Sequence, residues 1–323
     1  MSLRRPLVLY HHPSMESLAE RVIQICTQGG NSVAKGNITW DRFPDNWPNL
    51  FINQVKKDCA GQDIIYVGSL HSPDIVFEQI SILYSLPRYL SRSVTFILPY
   101  FPTATMERID TEGTIATAST LARILSAIPV SSRGPCQIVI IDIHALQERF
   151  YFGDNVIPRL ETAVSLLHNE VATRSFKDVA IVFPDDGAHK RFSSSFVDKF
   201  PIIICTKIRD GTKRVVKIKE GNVTDCHCII VDDLVNTGGT LIECAGALRS
   251  GGATNISAFV THAVFPKDSW KKFTGDGPLL FDHFFITDSI PHATEIAKHE
   301  PFRLLSLAGI MSQILFHCDT IRQ

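Results

Sequence analysis

The chain lacks an apolar run approaching the ~18 residues needed to span a bilayer, so a helical membrane protein is excluded as a reading. It lacks a surplus of either charge: 32 Lys and Arg stand against 33 Asp and Glu in 323 residues, a formal net charge of −1. The first 160 residues carry 14 charges of each sign, and the remainder 18 basic and 19 acidic ones. Proteins that coat nucleic acid or rest on an acidic membrane concentrate positive charge. Neither partner is expected here, and a small ligand held by local charges is. The eight cysteines are scattered and none forms a C-x-x-C pair. A secreted disulfide scaffold is therefore excluded, and reduced thiols in a cytoplasmic protein are expected. Cys226-His227-Cys228 lacks the second pair of ligands that a zinc site requires. Low-complexity tracts are absent, as are G-x-x-x-x-G-K-[ST] and G-x-G-x-x-G, which removes two common nucleotide loops. Arg4-Arg5 precede only the short run Leu7–Tyr10, too brief for a signal-peptide core and itself readable as a first strand, which leaves little room for a transit peptide.

What is present is an alternation. Unbroken Val- and Ile-rich runs occur at Leu7–Tyr10, Ile64–Val67, Val94–Leu98, Ile138–Ile143, Val179–Phe183, Ile202–Cys205, Ile229–Val231, Ile256–Val260 and Phe284–Ile286. Helix-length segments lie between many of them, including Ile75–Leu86, Thr114–Ala127 and Thr240–Arg249. An amphipathic stretch capped by Ser14 runs to Cys26 and stops at Gly29-Gly30. Runs without alternation, separated by helices, are the pattern of parallel strands covered on both faces. The fold class is α/β. The length suits two domains, with the boundary between Pro158 and Lys177: residues 1–162 and 163–323, the apolar segment Leu304–Phe316 packing back onto the body as a last helix.

The most informative stretch is Cys228-Ile-Ile-Val231-Asp232-Asp233-Leu-Val-Asn236-Thr237-Gly238-Gly239-Thr240. It reads as a buried strand, two acids at its carboxyl end, a small-residue loop and a helix start. Ligands bind at that edge of open parallel sheets. Gly238 and Gly239 let backbone N–H groups turn towards an anion, and the helix N-terminus that follows favours negative charge. Thr237 and Thr240 add hydroxyls. Two adjacent carboxylates repel phosphate, so they call for sugar hydroxyls or a bridging Mg²⁺. A sugar phosphate lying along the strand end, phosphate in the loop and diol on the acids, satisfies both halves. Thr206 to Lys219 adds six cations (Lys207, Arg209, Lys213, Arg214, Lys217, Lys219) against Asp210 alone. Asp210-Gly211 suits a hairpin turn, and such an arm can close over phosphates. For Lys213 to Lys219, a solvated edge strand guarded by lysines is the simpler reading.

Residues 231–240 resemble the phosphoribosyl pyrophosphate (PRPP) signature shared by phosphoribosyltransferases and ribose-phosphate pyrophosphokinases, the PRPP synthetases. Other segments are similar to the synthetases in family order. Pro99-Tyr-Phe-Pro102 through Arg108 resembles their ATP-side loop, and Asp142-Ile-His144-Ala145 their D-x-H-A segment. Pro184-Asp185-Asp186-Gly187 resembles their P-D-x-G segment, and Lys207-Ile-Arg209 their catalytic K-x-R loop. Trp40-Asp-Arg-Phe43-Pro-Asp45-Asn-Trp47-Pro and His144 through Phe152 are similar to the plant-type class II, known as phosphate-independent. The resemblance implies two phosphoribosyltransferase-like domains, each an open, mostly parallel sheet flanked by helices, with ATP on the N-terminal side and ribose 5-phosphate in the C-terminal loop. It implies that the β,γ-diphosphoryl group of ATP passes to the C1 hydroxyl of ribose 5-phosphate, giving PRPP and AMP, with Mg²⁺. It also implies a homo-oligomer whose ATP site is completed by a neighbouring chain.

Carried over residue by residue, the resemblance makes Lys207 and Arg209 catalytic, and gives ATP to Phe43, Asp45, Arg108 and His144. Ribose 5-phosphate falls to Asp232, Asp233, Asn236, Thr237, Gly238, Gly239 and Thr240, and the metal to His144 and Asp185. Phe43 corresponds to an adenine-stacking aromatic, though an aromatic flanked by Pro44 and Pro48 serves equally as a local core plug. Three departures from class I stand out: Thr105-Met106-Glu107 in place of Arg-Gln-Asp, Asn236 where an Asp is usual, and Trp47 where Glu is frequent. They bear on donor choice and on the proton acceptor, and class II members carry similar changes. Two other functions fit parts of the pattern: a phosphoribosyltransferase that consumes PRPP, and a non-catalytic subunit that restrains active paralogues.

Overall fold

The computed structural model describes residues 7–210, 213–275 and 280–320, without the side chains of 104, 208–210, 213–215 and 316–320. The chain divides into two compact units, 1–161 with 306–323, and 162–305.

The first unit opens with β1 (Leu7–His11), α1 (Glu16–Gln28) and β2 (Val33–Lys35), followed by the strands β3 (Ile38–Arg42) and β4 (Pro48–Ile52) and the short α2 (Val55–Asp58). It continues through β5 (Asp63–Val67), α3 (Pro73–Arg88), β6 (Ser93–Leu98), α4 (Thr117–Leu125), β7 (Cys136–Ile141) and β8 (Val156–Glu161). Its six-stranded sheet has the order β2-β1-β5-β6-β7-β8, and every neighbouring pair is parallel. β3 and β4 pair only with each other, antiparallel, from Ile38 opposite Ile52 to Arg42 opposite Pro48. All five residues of β5 are buried, as a strand covered on both faces requires.

The second unit runs α5 (Val164–Arg174), β9 (Val179–Phe183), α6 (Asp186–Phe192), β10 (Ile202–Asp210), β11 (Lys213–Glu220), β12 (His227–Val235), α7 (Gly239–Ser250), β13 (Asn255–Ala263), β14 (His283–Thr287), α8 (Ala293–Ile296) and β15 (Phe302–Leu305). Its seven strands lie in the order β11-β10-β9-β12-β13-β14-β15. Only the β10–β11 pair is antiparallel. That pair is the hairpin expected around Asp210-Gly211, and its turn at 211–212 lies outside the described residues. The chain then returns to the first unit as α9 (Ala308–Thr320), which packs on α1.

Two expected boundaries move. Leu304 belongs to β15, paired with Ile286 of β14, so the last helix starts at Ala308 rather than at Leu304. Ser14 does not cap α1. His12 caps a 3-10 turn, Pro13–Met15, by accepting the Ser14 N–H at its ring, and α1 follows from Glu16. At the other end of α1, Gly29 and Gly30 do terminate the helix, the latter with φ +77°. Among the described residues no helix is long and apolar enough to cross a membrane, and seven cysteines are free thiols.

Candidate active site

In the second unit the sheet order makes the site. β9 lies between β10 and β12, so residues at the carboxyl end of β9 fall between those carried by its two neighbours. Asp185 follows β9, Lys207 sits on β10, and Asp232 and Asp233 sit on β12. The sheet therefore gathers at one edge three segments that are more than twenty residues apart in sequence. Lys207 Nζ donates to Asp185 Oδ2 at 2.8 Å. Asp185 Oδ1 accepts the N–H groups of Gly187 and Ala188, both at 3.0 Å, as the cap of α6. Burial pushes the Asp185 carboxyl upward, but Lys207 and the two N–H groups outweigh it and hold the group below the usual aspartate range. Beside this pair, Lys219 Nζ reaches Asp186 Oδ1 at 3.1 Å.

Asp232 behaves in the opposite way. Desolvation, the neighbouring Asp233 and the charge of Asp185 raise its proton affinity well above that of an ordinary aspartate. Its Oδ1 accepts the Asp233 N–H at 2.9 Å, and Asp233 is buried. Three carboxylates with one lysine among them form a site that gains from sugar hydroxyl donors or from a divalent cation. Both Asp185 oxygens already accept protein hydrogens, so a cation there would have to displace Lys207. Among the described residues no group of three or more His, Cys, Asp or Glu side chains is arranged to hold a metal.

The loop after β12 turns at Gly238, φ +78°, which caps α7. Asn236, Thr237 and Gly239 are exposed, Thr240 is partly buried and Gly238 is buried. The side chain of Arg209, expected beside Lys207, lies outside the described residues, although its backbone pairs with Arg214.

The first unit holds the remaining expected residues. Phe43 and Asp45 occupy the turn of the β3–β4 hairpin, where Phe43 N–H donates to the Trp47 carbonyl at 2.9 Å and Asp45 Oδ1 accepts the Trp47 N–H at 3.3 Å. Phe43 is 51% exposed and Trp47 60%, so Phe43 is no core plug. The turn end of this hairpin is tied down. Arg42 Nη2 donates to Glu78 Oε2 at 3.0 Å, and His12 Nε2 bonds the other oxygen of Glu78 at 2.9 Å. Arg42 Nη1 also donates to the Asn46 carbonyl at 3.0 Å, inside the turn itself. Arg108 is exposed and pairs with Asp110 at 3.3 Å. His144 is exposed and follows β7 at the carboxyl edge of its sheet.

Sequence reasoning missed the Glu78 anchor and a further contact on the loop. Ser269 Oγ donates to the Asn236 carbonyl at 3.0 Å and Lys272 Nζ to the Thr237 carbonyl at 3.3 Å. No motif marks either, because both partners are common residue types joined only by the fold.

Comparison with known proteins bears on the family and the fold. Residues 7–128 match the model of the N-terminal domain of ribose phosphate pyrophosphokinase, and residues 159–273 that of the phosphoribosyl transferase domain. The chain is 50% identical over 284 residues to ribose-phosphate pyrophosphokinase 4 of Arabidopsis thaliana, covering 86% of this chain and 84% of that protein. It is 47% identical to the chloroplastic ribose-phosphate pyrophosphokinase 3 of Oryza sativa subsp. japonica, over 96% of this chain and 76% of that one. The mitochondrial ribose-phosphate pyrophosphokinase 3 of Spinacia oleracea is 44% identical, over 96% and 77%. The fold is shared with the crystal structure of phosphoribosylpyrophosphate synthetase from Mycobacterium smegmatis, at a TM-score of 0.79 and 22% identity over 98% of this chain and 99% of that one. With both halves matched in order and relatives this similar along most of its length, the chain belongs to the ribose-phosphate pyrophosphokinase family.

Proposed function

We propose that the protein transfers the β,γ-diphosphoryl group of ATP to the C1 hydroxyl of ribose 5-phosphate. The hydroxyl oxygen attacks the β-phosphorus, the bond from that phosphorus to the α-phosphate oxygen breaks, and AMP leaves as the hydroxyl proton passes to solvent. One observation carries the reading: the acid pair, the glycine loop at a helix N-terminus and a lysine held on a carboxylate share one sheet edge. An acid pair alone would suit a metal-binding protein and a glycine loop alone any anion site. Together they suit a sugar with a phosphate at one end and free hydroxyls at the other.

In this reading Asp232 and Asp233 accept hydrogen bonds from the ribose diol, and the loop from Asn236 to Thr240 receives the 5-phosphate. Transfer of this kind is mostly positioning and charge neutralisation. Lys207 supplies a cation by exchanging Asp185 for a phosphate oxygen of ATP, and Arg209 is assigned as a second cation. Phe43 stacks on adenine, Asp45 contacts its edge, and Arg108 and His144 take the phosphates. The exposed hairpin turn that carries Phe43 suits a site completed by a second copy of the chain, hence a homo-oligomer. Mg²⁺, when bound, would neutralise the diphosphate. His144 and Asp185 are the candidate ligands, and Asp232 would offer a further carboxylate. The scattered free thiols support the cytoplasm as the compartment; some relatives are named chloroplastic or mitochondrial, and imaging of the tagged full-length protein separates these.

The deciding experiment incubates the purified chain with Mg-ATP and ribose 5-phosphate, with and without inorganic phosphate, and follows AMP and PRPP. Stoichiometric release of both is expected. A chain that only consumes PRPP, or that turns over only beside a paralogue, would overturn the proposal.

A further inference from the structure

We infer that the kinked segment Pro266–Phe273 sets the direction of the phosphate-binding peptides, with Ser269 and Lys272 as positioning residues for ribose 5-phosphate; this rests on the function proposed above. Three residues of the segment hold three consecutive residues of the loop. Ser269 Oγ donates to the Asn236 carbonyl at 3.0 Å, and Lys272 Nζ to the Thr237 carbonyl at 3.3 Å. The ring of Phe273 lies so close under Gly238 that a Cβ there would come within 2.4 Å of its Cζ.

A trans peptide is planar, and its C=O and N–H point in opposite directions. Among the described residues the one cis bond is Glu300–Pro301, so both loop peptides are trans. Fixing the carbonyls of Asn236 and Thr237 towards the segment therefore turns the N–H groups of Thr237 and Gly238 away from it. Among the described residues neither N–H has a hydrogen-bond acceptor. Two outward N–H groups that run into the first turn of α7 make a concave set of donors for an anion. Without the two bonds to its carbonyls, the peptide before Gly238 can rotate at little cost, because glycine occupies many backbone conformations.

The segment is itself anchored. Phe273 packs against Phe265, Phe281 and Phe284, with ring centroids 5.6, 5.7 and 5.2 Å away. Trp270 lies against His299 at 4.7 Å. Ser269 and Lys272 thus act from a fixed base, and neither needs to touch the sugar to affect its binding.

The test uses the full chain carrying Ser269→Ala with Lys272→Met, and separately Lys272→Arg. Ribose 5-phosphate affinity is read by calorimetric titration, and the KM for each substrate by AMP release. Loss of two net hydrogen bonds predicts ribose 5-phosphate binding about tenfold weaker in the double variant. The KM for ATP should stay within about twofold, with a melting temperature lowered by only a few degrees, and Lys272→Arg should bind like the wild type. Unaltered ribose 5-phosphate affinity in a folded double variant, or equal loss of affinity for both substrates, overturns the inference. If the double variant does not fold, the exposed Lys272→Met alone decides, with a loss of about threefold expected. A wild-type chain that binds no ribose 5-phosphate would instead overturn the function on which the inference rests.

Discussion

The two units share an architecture and differ in how they hold what they present. In the second, the loop after β12 is supported from behind: Ser269, Lys272 and Phe273 meet Asn236, Thr237 and Gly238 in turn. In the first, the β3–β4 hairpin is held where it enters its turn, by Arg42 on Glu78 and by the Trp47 ring against Phe77 at 5.4 Å, while the Phe43 ring stays exposed. A peptide that must aim N–H groups at an anion needs its planes fixed, because hydrogen bonds weaken steeply off axis. An aromatic face tolerates small displacements, and an exposed turn leaves room for a neighbouring surface. The contrast predicts that changes in the second unit act on ribose 5-phosphate and changes at the hairpin on ATP.

The largest effect expected separates chemistry from binding. Lys207→Ala should lower kcat by about a thousandfold, as loss of a charge-stabilising group does, while ribose 5-phosphate affinity survives. AMP release beside a binding titration measures both, and unchanged turnover would remove Lys207 from the mechanism.

Asp232→Asn sharpens the comparison from within the loop unit. The folded protein holds the Asp232 proton more tightly than the unfolded chain does. The stability this contributes is complete below the ordinary aspartate value and is lost as pH rises through the folded value. At neutral pH the carboxyl thus costs stability that a side chain unable to ionise does not. The variant should melt higher than the wild type near pH 7 yet bind ribose 5-phosphate about ten- to a hundredfold more weakly. Melting curves from about pH 4 to pH 8 should show the wild type losing ground to the variant as pH rises. Parallel curves would remove Asp232 as the cause.

Glu78→Gln tests the hairpin. It removes the charge that pairs with Arg42 and should raise the KM for ATP about three- to tenfold, leaving that for ribose 5-phosphate unchanged. Burial, more than the bond to Glu78, sets His12, whose proton affinity lies below that of an ordinary histidine. Stability from His12 is therefore present above the ordinary histidine value and is lost as pH falls below it. The smallest effect belongs to Lys219→Met. Its pair with Asp186 is exposed, and such pairs contribute little. The melting temperature and both KM values should not move measurably.

The sheets were legible because their strands are buried on both faces and read as unbroken apolar runs. Val179–Phe183 matches β9 residue for residue. The edges were harder. β8 carries Pro158, Arg159 and Glu161 and does not look like a strand, yet it pairs with β7 along its whole length. Leu304 and Leu305 stand next to an apolar helix, and hydrophobicity alone does not divide the two. The candidate site divides in the same way. The acids, glycines and threonines of 232–240 are contiguous, and their order alone suggests a sugar phosphate. Ser269 and Glu78 lie over thirty residues from the groups they hold, and only the folded chain brings them together.

The route of the chain has a consequence for its synthesis. Leu18, Ala19, Val22 and Cys26 of α1 are buried, and α9, which packs on that helix, is translated only after the whole of the second unit. While the ribosome adds residues 162–305, the side of α1 that α9 will cover stands open, the kind of surface that chaperones shield. The half that emerges first is thus the half that waits for its final piece.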